Sequence, residues 1–167
     1  MTFKYVLAGA LAMAAATPAM AQAPAPVAGE FTGPRVGVEF GLLDDDFLGD
    51  DEGTYGFLAG YDFDAGNLIA GATVSYTGLF DDDGADLRDI TVSGRLGAKL
   101  APRTMVYGTA GYSNLDADGI KSLDGVKFGL GLEQSFGKVY ANVETRYGNY
   151  EAGLELYQTV VGVGFRF

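Results

Sequence analysis

Chemistry in this chain must be done by carboxylates, guanidiniums, amines and hydroxyls, because its 167 residues include no histidine and no cysteine. A Ser-His-Asp triad or a Cys-His pair cannot be assembled from such a set, nor can a zinc site with the usual ligands. Disulfides are excluded as well, so passage into an oxidising compartment would leave no bridge behind. Two kinds of site survive. One is a carboxylate pair for acid–base work, for which Glu133 and Glu144 are the candidates. The other is a cluster of acids able to hold a cation: Asp44, Asp45, Asp46, Asp50, Asp51 and Glu52, then Asp81, Asp82, Asp83, Asp86 and Asp89, then Asp116, Asp118 and Asp124. Calcium takes roughly six to eight oxygens at set positions, and none of the three runs has the full EF-hand spacing. The expectation is therefore solvated acidic loops, no enzyme, no resident cofactor, and at most loosely bound divalent cations. The net charge of −11 also speaks against a nucleic-acid partner, which would require a basic footprint.

The elements that position these residues repeat every second position, the signature of half-buried strands. In 35–42, Val36, Val38, Phe40 and Leu42 share one face, with Arg35, Gly37, Glu39 and Gly41 on the other. In 54–63, Tyr55, Phe57, Tyr61 and Phe63 stand against Thr54 and Asp62. The same holds for 68–76, for 90–100 (Arg95 and Lys99 on the polar side) and for 126–136 (Lys127 and Glu133). In 139–147 the polar side carries Glu144 and Arg146, and the last run sets Tyr157, Val161, Val163, Phe165 and Phe167 against Gln158 and Arg166. The Met105-to-Ser113 stretch is ambiguous, because Tyr107 and Tyr112 stand an odd number of positions apart and share a face only across a bulge. Val106, Ala110 and Tyr112 make the better apolar set, leaving Thr109 and Ser113 with the polar residues. That gives eight strands and no helix signal.

Connections alternate between short and long. Asp64 to Asn67, Ala101 to Thr104 and Gly137-Lys138 are short, the last suiting a type II′ hairpin turn with glycine first. The long ones hold most of the acids and all fall at one end of an up-and-down barrel.

The N-terminus is a targeting segment. Lys4 precedes an apolar run from Tyr5 to Ala16 and then Ala19-Met20-Ala21, a secretory signal with cleavage expected after Ala21. The run is too short for a bilayer-spanning helix of about 20 residues. Residues 22–32, rich in Pro and Ala, read as a flexible leader in the periplasm, and 33–167 as the barrel.

Alternation alone fits a soluble lipocalin-like barrel with a greasy interior as well as a membrane barrel with a greasy exterior. Three features favour the membrane. The polar face is dominated by Gly, Thr and Ser rather than by dense Lys and Glu. The aromatics sort by height, with Phe40, Tyr55, Tyr76, Tyr112, Phe128 and Tyr147 towards the long-loop end and Tyr61, Phe63 and Phe136 towards the short-turn end, as two girdles around an apolar band would. The last strand is apolar to Phe167, and open edges are not tolerated in lipid. On this arrangement Arg35, Glu39, Asp62, Arg95, Lys99, Lys127, Glu133, Glu144, Arg146 and Arg166 point inward, where buried charge must be paired. A salt-bridge network that fills the lumen is expected, with a narrow porin-like conduit for small solutes as the alternative.

The chain resembles the small opacity/surface-antigen type of bacterial outer-membrane barrel, related to the membrane domain of outer-membrane protein A. The likeness spans roughly 33–167 and rests on architecture and on the final Phe-Arg-Phe. It implies an all-β, eight-stranded antiparallel up-and-down transmembrane β-barrel with short periplasmic turns and four longer acidic extracellular loops. It also implies a location in the cell outer membrane of a Gram-negative bacterium, in contact with lipid and lipopolysaccharide. By the same resemblance Tyr157, Val161, Val163, Phe165 and Phe167 form the signal that the barrel-assembly machinery reads. Enzymes of such barrels depend on a catalytic histidine, which this sequence lacks. The expected role is structural or surface-interactive, with an unidentified extracellular partner. Gly94 on the lipid side fits either a packing notch between copies or plain strand variation.

Overall fold

The computed structural model describes residues 30–44, 52–80, 87–117 and 120–167. Eight strands follow in order: β1 (Gly33–Asp44), β2 (Glu52–Ala65), β3 (Leu68–Leu79), β4 (Leu87–Ala101), β5 (Thr104–Ala117), β6 (Ile120–Phe136), β7 (Val139–Tyr150) and β8 (Glu155–Arg166). A single 3₁₀ turn, Glu151–Gly153, stands between β7 and β8. Each strand pairs antiparallel with the next, and β8 pairs with β1 to close the barrel. The alternation read from the sequence is thus the fold observed.

At the seam, Val36, Val38 and Phe40 lie opposite Phe165, Val163 and Val161, and the Phe167 amide donates to the Pro34 carbonyl at 3.0 Å. The short turns are tight. Gly66 and Gly137 sit at φ 81° and 82°, a left-handed region where a side chain would be strained. Asp64 accepts from the Gly66 amide at 2.8 Å, and Lys99 donates to that same carboxylate at 2.8 Å.

The two faces of the sheet separate cleanly. Leu130 is 73% exposed and Phe63 60%, on an outer surface shared with Leu96, Leu100, Phe57, Phe128 and Val161. Asp62 and Glu133 are 0% exposed, enclosed with Arg35, Glu39, Arg95 and Arg166. An exterior this oily around a charged interior is the inverse of a soluble barrel, and water would penalise it by about 25 cal/mol for every Å² of apolar surface. Tyr107 and Tyr112 fall on opposite faces of β5 with no bulge between them: Tyr107 is buried inside and Tyr112 exposed outside.

Three expectations require correction. Asp44, Glu52, Asp89, Asp116 and Asp124 belong to strands rather than to loops. The third long connection shrinks to residues 118–119 and the fourth to the 3₁₀ turn. The reason is local: beyond the outer apolar band, polar cross-strand pairs on the outer face keep the ladder going while Leu115 lies opposite Leu123 inside. Asn114, for example, donates to Asp124 and to Ser122, both at 2.7 Å. Finally, the leader is not free up to residue 32, since Phe31 is 1% exposed inside the barrel mouth. The signal segment, the leader up to 29, and Asp45, Asp46, Asp50, Asp51, Asp81, Asp82, Asp83, Asp86 and Asp118 lie outside the described residues.

Candidate functional site

Among the described residues, ionisable groups converge in the lumen, and they do so in three tiers. Nearest the short turns, the register sets Arg35 directly opposite Arg166. Like charges in that position repel. Asp62, projecting from β2, resolves the conflict by taking both: its Oδ2 lies 3.0 Å from Arg35 Nε and 2.9 Å from Arg166 Nη2. Glu133 on β6 does the same for the other side, 2.6 Å from Arg95 Nη2 and 3.0 Å from Arg166 Nη1. Arg95 also stacks on the Tyr107 ring at 4.1 Å and Arg166 on Tyr140 at 5.2 Å, while Arg35 donates to Thr73.

Midway up, Arg146 bridges two carboxylates, Glu39 at 2.8 Å and Glu144 at 2.9 Å. Glu144 accepts further bonds from Tyr107 (3.0 Å) and Thr109 (2.9 Å), and Asn142 donates to the Tyr107 oxygen at 3.1 Å. Tyr107 therefore joins the first tier to the second.

Towards the long loops, Asp89 is a hub. It receives Lys127, Ser113 and, at 3.0 Å, the Tyr150 hydroxyl, with Thr91 bonded to Ser113 at 2.8 Å. Nearby, Gln158 donates to Thr54 at 2.9 Å. Across the tiers the five cations Arg35, Arg95, Arg146, Arg166 and Lys127 meet the five carboxylates Asp62, Glu133, Glu39, Glu144 and Asp89. Such a closed balance is what keeps buried charges tolerable.

Lys99, grouped with this network from its place in the pattern, does not reach it and pairs with Asp64 at the β2–β3 turn instead. Asp89, grouped with the loop acids, is a luminal residue 4% exposed. Its position had a legible signal: it continues the inward alternation of Arg95, Ser93 and Thr91 by one more step. Tyr140 and Tyr150 were missed for the same reason, as they share the inward side of β7 with Asn142, Glu144 and Arg146. Inward glycines make the room. A side-chain carbon at Gly131 would collide with the Tyr107 ring, and one at Gly164 with Tyr140.

Among the described residues the lumen keeps small cavities, one of about 30 Å³ among the lower tiers and one of about 20 Å³ beside Asp89. Each holds about one or two waters. Lys127 and Arg146 line both and so form the wall between them.

Above and below the charges the inward face turns apolar. Leu43, Leu115, Tyr150 and Leu156 are buried together at the long-loop end, with Leu79, Leu123 and Leu154 packed against them. Phe31, Ile69, Met105 and Tyr107 form the layer at the short-turn end. Neither layer was foreseen, since the alternation pointed to a polar inner face throughout.

Outside, the aromatics project from the wall in two groups. Phe40 stacks with Phe80 at 6.2 Å, Tyr55 contacts Phe80 at 5.2 Å, and Tyr147 contacts Tyr157 at 5.1 Å. At the other end Tyr61 meets Phe63 at 4.7 Å and Phe165 meets Phe167 at 5.3 Å. Tyr112, Phe128 and Phe136 are exposed on the same surface, and Tyr76 is half-buried there. Tyr157, Val161, Val163, Phe165 and Phe167 all face outward. Among the described residues no three acids converge as a metal ion would require.

A family model described as an outer membrane protein beta-barrel domain matches residues 8–167. No curated protein matches the sequence. Among solved structures, the attachment invasion locus protein Ail of Yersinia pestis superposes with a TM-score of 0.61 at 15% identity, over 81% of this chain and 97% of that one. The N-terminal β-barrel domain of Pseudomonas aeruginosa OprF gives 0.60 at 19% identity, over 81% and 99%. The outer membrane enzyme PagL gives 0.56 at 13% identity, over 80% and 99%. At these identities the likeness concerns the fold alone, and that fold serves proteins of different activity.

Proposed function

Because the chain belongs to the outer-membrane β-barrel family, we propose that it works as a closed envelope scaffold, displaying acidic loops at the cell surface around a lumen filled by its own side chains. One observation carries this reading: the charged tiers are shut between two apolar layers, Leu43/Leu115/Tyr150/Leu156 and Phe31/Ile69/Met105/Tyr107. An ion would have to shed its water to pass either one, and an uncompensated charge in apolar surroundings is costly. Planar-bilayer recording tests it. Purified barrel is expected to give no reproducible single-channel steps, and steady conductance would overturn the reading.

Export fits the same picture. The signal is removed after Ala21, residues 22–32 lead from the periplasm into the barrel, and the outward residues Tyr157, Val161, Val163, Phe165 and Phe167 serve as the assembly signal. Lipid and lipopolysaccharide surround the wall, a partner of unknown identity meets the loops, and divalent cations bind loosely, if at all, at the loop acids. Amino-terminal sequencing of membrane-extracted protein is expected to begin at Gln22. Isothermal titration of the folded barrel with Ca²⁺ checks the cations.

A narrow conduit is the second reading, supported by the wall that Lys127 and Arg146 make between the two cavities. Exchange of Lys127 from Asp89 to another acid would join them. Catalysis has no support in the lumen, where Glu133 and Glu144 are each committed to arginines.

A further inference from the structure

The last residues of the leader are seated in the short-turn mouth of the barrel, and their contacts are those of a bound ligand. Phe31 is buried against Ile69, Met105 and Tyr107, with the Arg166 guanidinium 6.0 Å from its ring. Arg166 Nη1 donates to the Glu30 carbonyl at 3.2 Å. The Glu30 carboxylate accepts from Ser135 at 3.0 Å and lies 3.6 Å from Arg103. The barrel wall needs none of this, because the β1–β2 ladder starts at Gly33 and the β1–β8 seam at Arg35.

The tier above explains why an acceptor is wanted there. Among the described residues, Arg35, Arg95 and Arg166 form ion pairs with Asp62 and Glu133, three cations on two carboxylates. The Nε atoms of Arg95 and Arg166 are buried without a hydrogen-bond partner. Glu30 brings a carbonyl to Arg166 and a carboxylate to the rim, while Phe31 covers the apolar floor.

We propose that the short-turn mouth is a peptide-binding site, taking an acidic residue followed by an aromatic one, and that Glu30-Phe31 occupies it in cis as a removable stopper. Three residues at the end of a segment are held by one ring and a few polar contacts, whereas the leucine layer at the far end is built from the strands themselves. The lumen therefore opens from the periplasmic side first. Opening hydrates the arginine tier without making a through-channel, because the upper layer stays shut.

The absence of native cysteine gives a clean reporter. Ile69→Cys places a thiol beneath Phe31, and its reaction with a small charged methanethiosulfonate can be followed in folded barrel in nanodiscs. With the leader intact, labelling is expected to be slow. Deleting residues 22–32 is expected to make it at least about tenfold faster, in line with loss of a local closed state. A synthetic peptide of residues 22–32 added to the truncated barrel is expected to restore protection, and the same peptide with Phe31→Ala is not. Heat-modifiable migration verifies that each variant is folded, and Phe31→Ala in the full chain replaces the deletion if truncation hinders folding. Equal labelling of intact and stopper-free barrels would overturn the proposal, as would protection by the Phe31→Ala peptide. Single-channel steps from the stopper-free barrel alone would instead refute the closed upper layer, leaving the stopper in place.

Discussion

At the scale of single residues, Asp89 is the most telling position. One carboxylate satisfies an amine and three hydroxyls in the upper lumen, so its loss strands Lys127 without a counter-charge. Asp89→Ala is expected to destabilise the barrel by about 3–5 kcal/mol, since removing one partner leaves the other buried and unpaired. Adding Lys127→Met to that variant is expected to recover much of the loss. Urea unfolding in lipid vesicles measures both, and an Asp89→Ala cost no larger than that of a surface substitution would dismiss the hub. Gly131→Ala makes the complementary test of packing, because the added carbon meets the Tyr107 ring. Overpacking costs about 1–3 kcal/mol, and Tyr107→Phe in the same background is not expected to relieve it, because the ring stays. The sequence made the inward arginines and glutamates legible through parity alone. Asp89 follows the same parity, one step beyond Thr91, but it closes a stretch rich in acids (Asp81, Asp82, Asp83 and Asp86) and so was grouped with the loop.

At the scale of strands, alternation carried nearly all the information, because every strand has one face in hydrocarbon and one in the lumen. Ambiguity arose only where the contrast weakened. In β5 two tyrosines serve opposite faces, one a luminal hydrogen-bond donor and the other an outer-belt residue. At the long-loop ends the outer face turns polar (Asn114, Asp116, Asp124) while the inner face turns apolar (Leu115, Leu123), so β5 and β6 continue where the pattern inverts. The apolar inner layers were hidden for a related reason: a leucine at an inward position looks like an interruption until all eight strands are set side by side. The membrane face of β6 offers a direct test. Leu130→Arg, near the middle of the band, is expected to cost about 2–4 kcal/mol in vesicle unfolding, and an arginine at Phe136 near the rim about 0–1 kcal/mol. Equal costs at the two heights would contradict the placement of the belts.

At the scale of the whole molecule, the lumen's charges neutralise one another among buried side chains, whereas Asp116, Glu151 and Glu155 are exposed. Raising salt from low to near-molar is therefore expected to leave unfolding of the barrel almost unchanged, since screening acts on exposed charges far more than on buried pairs. A steep salt dependence would mean that the tiers are open to bulk solvent.

Ring closure has a mechanical corollary. In an open sheet the outermost strand has one neighbour and can peel away alone, but here each of the eight strands is held on both flanks. Nothing is available to fray first. Pulling the chain out of a bilayer from one end is thus expected to begin with the largest force peak, when the β1–β8 seam tears, and to continue in smaller steps as hairpins follow.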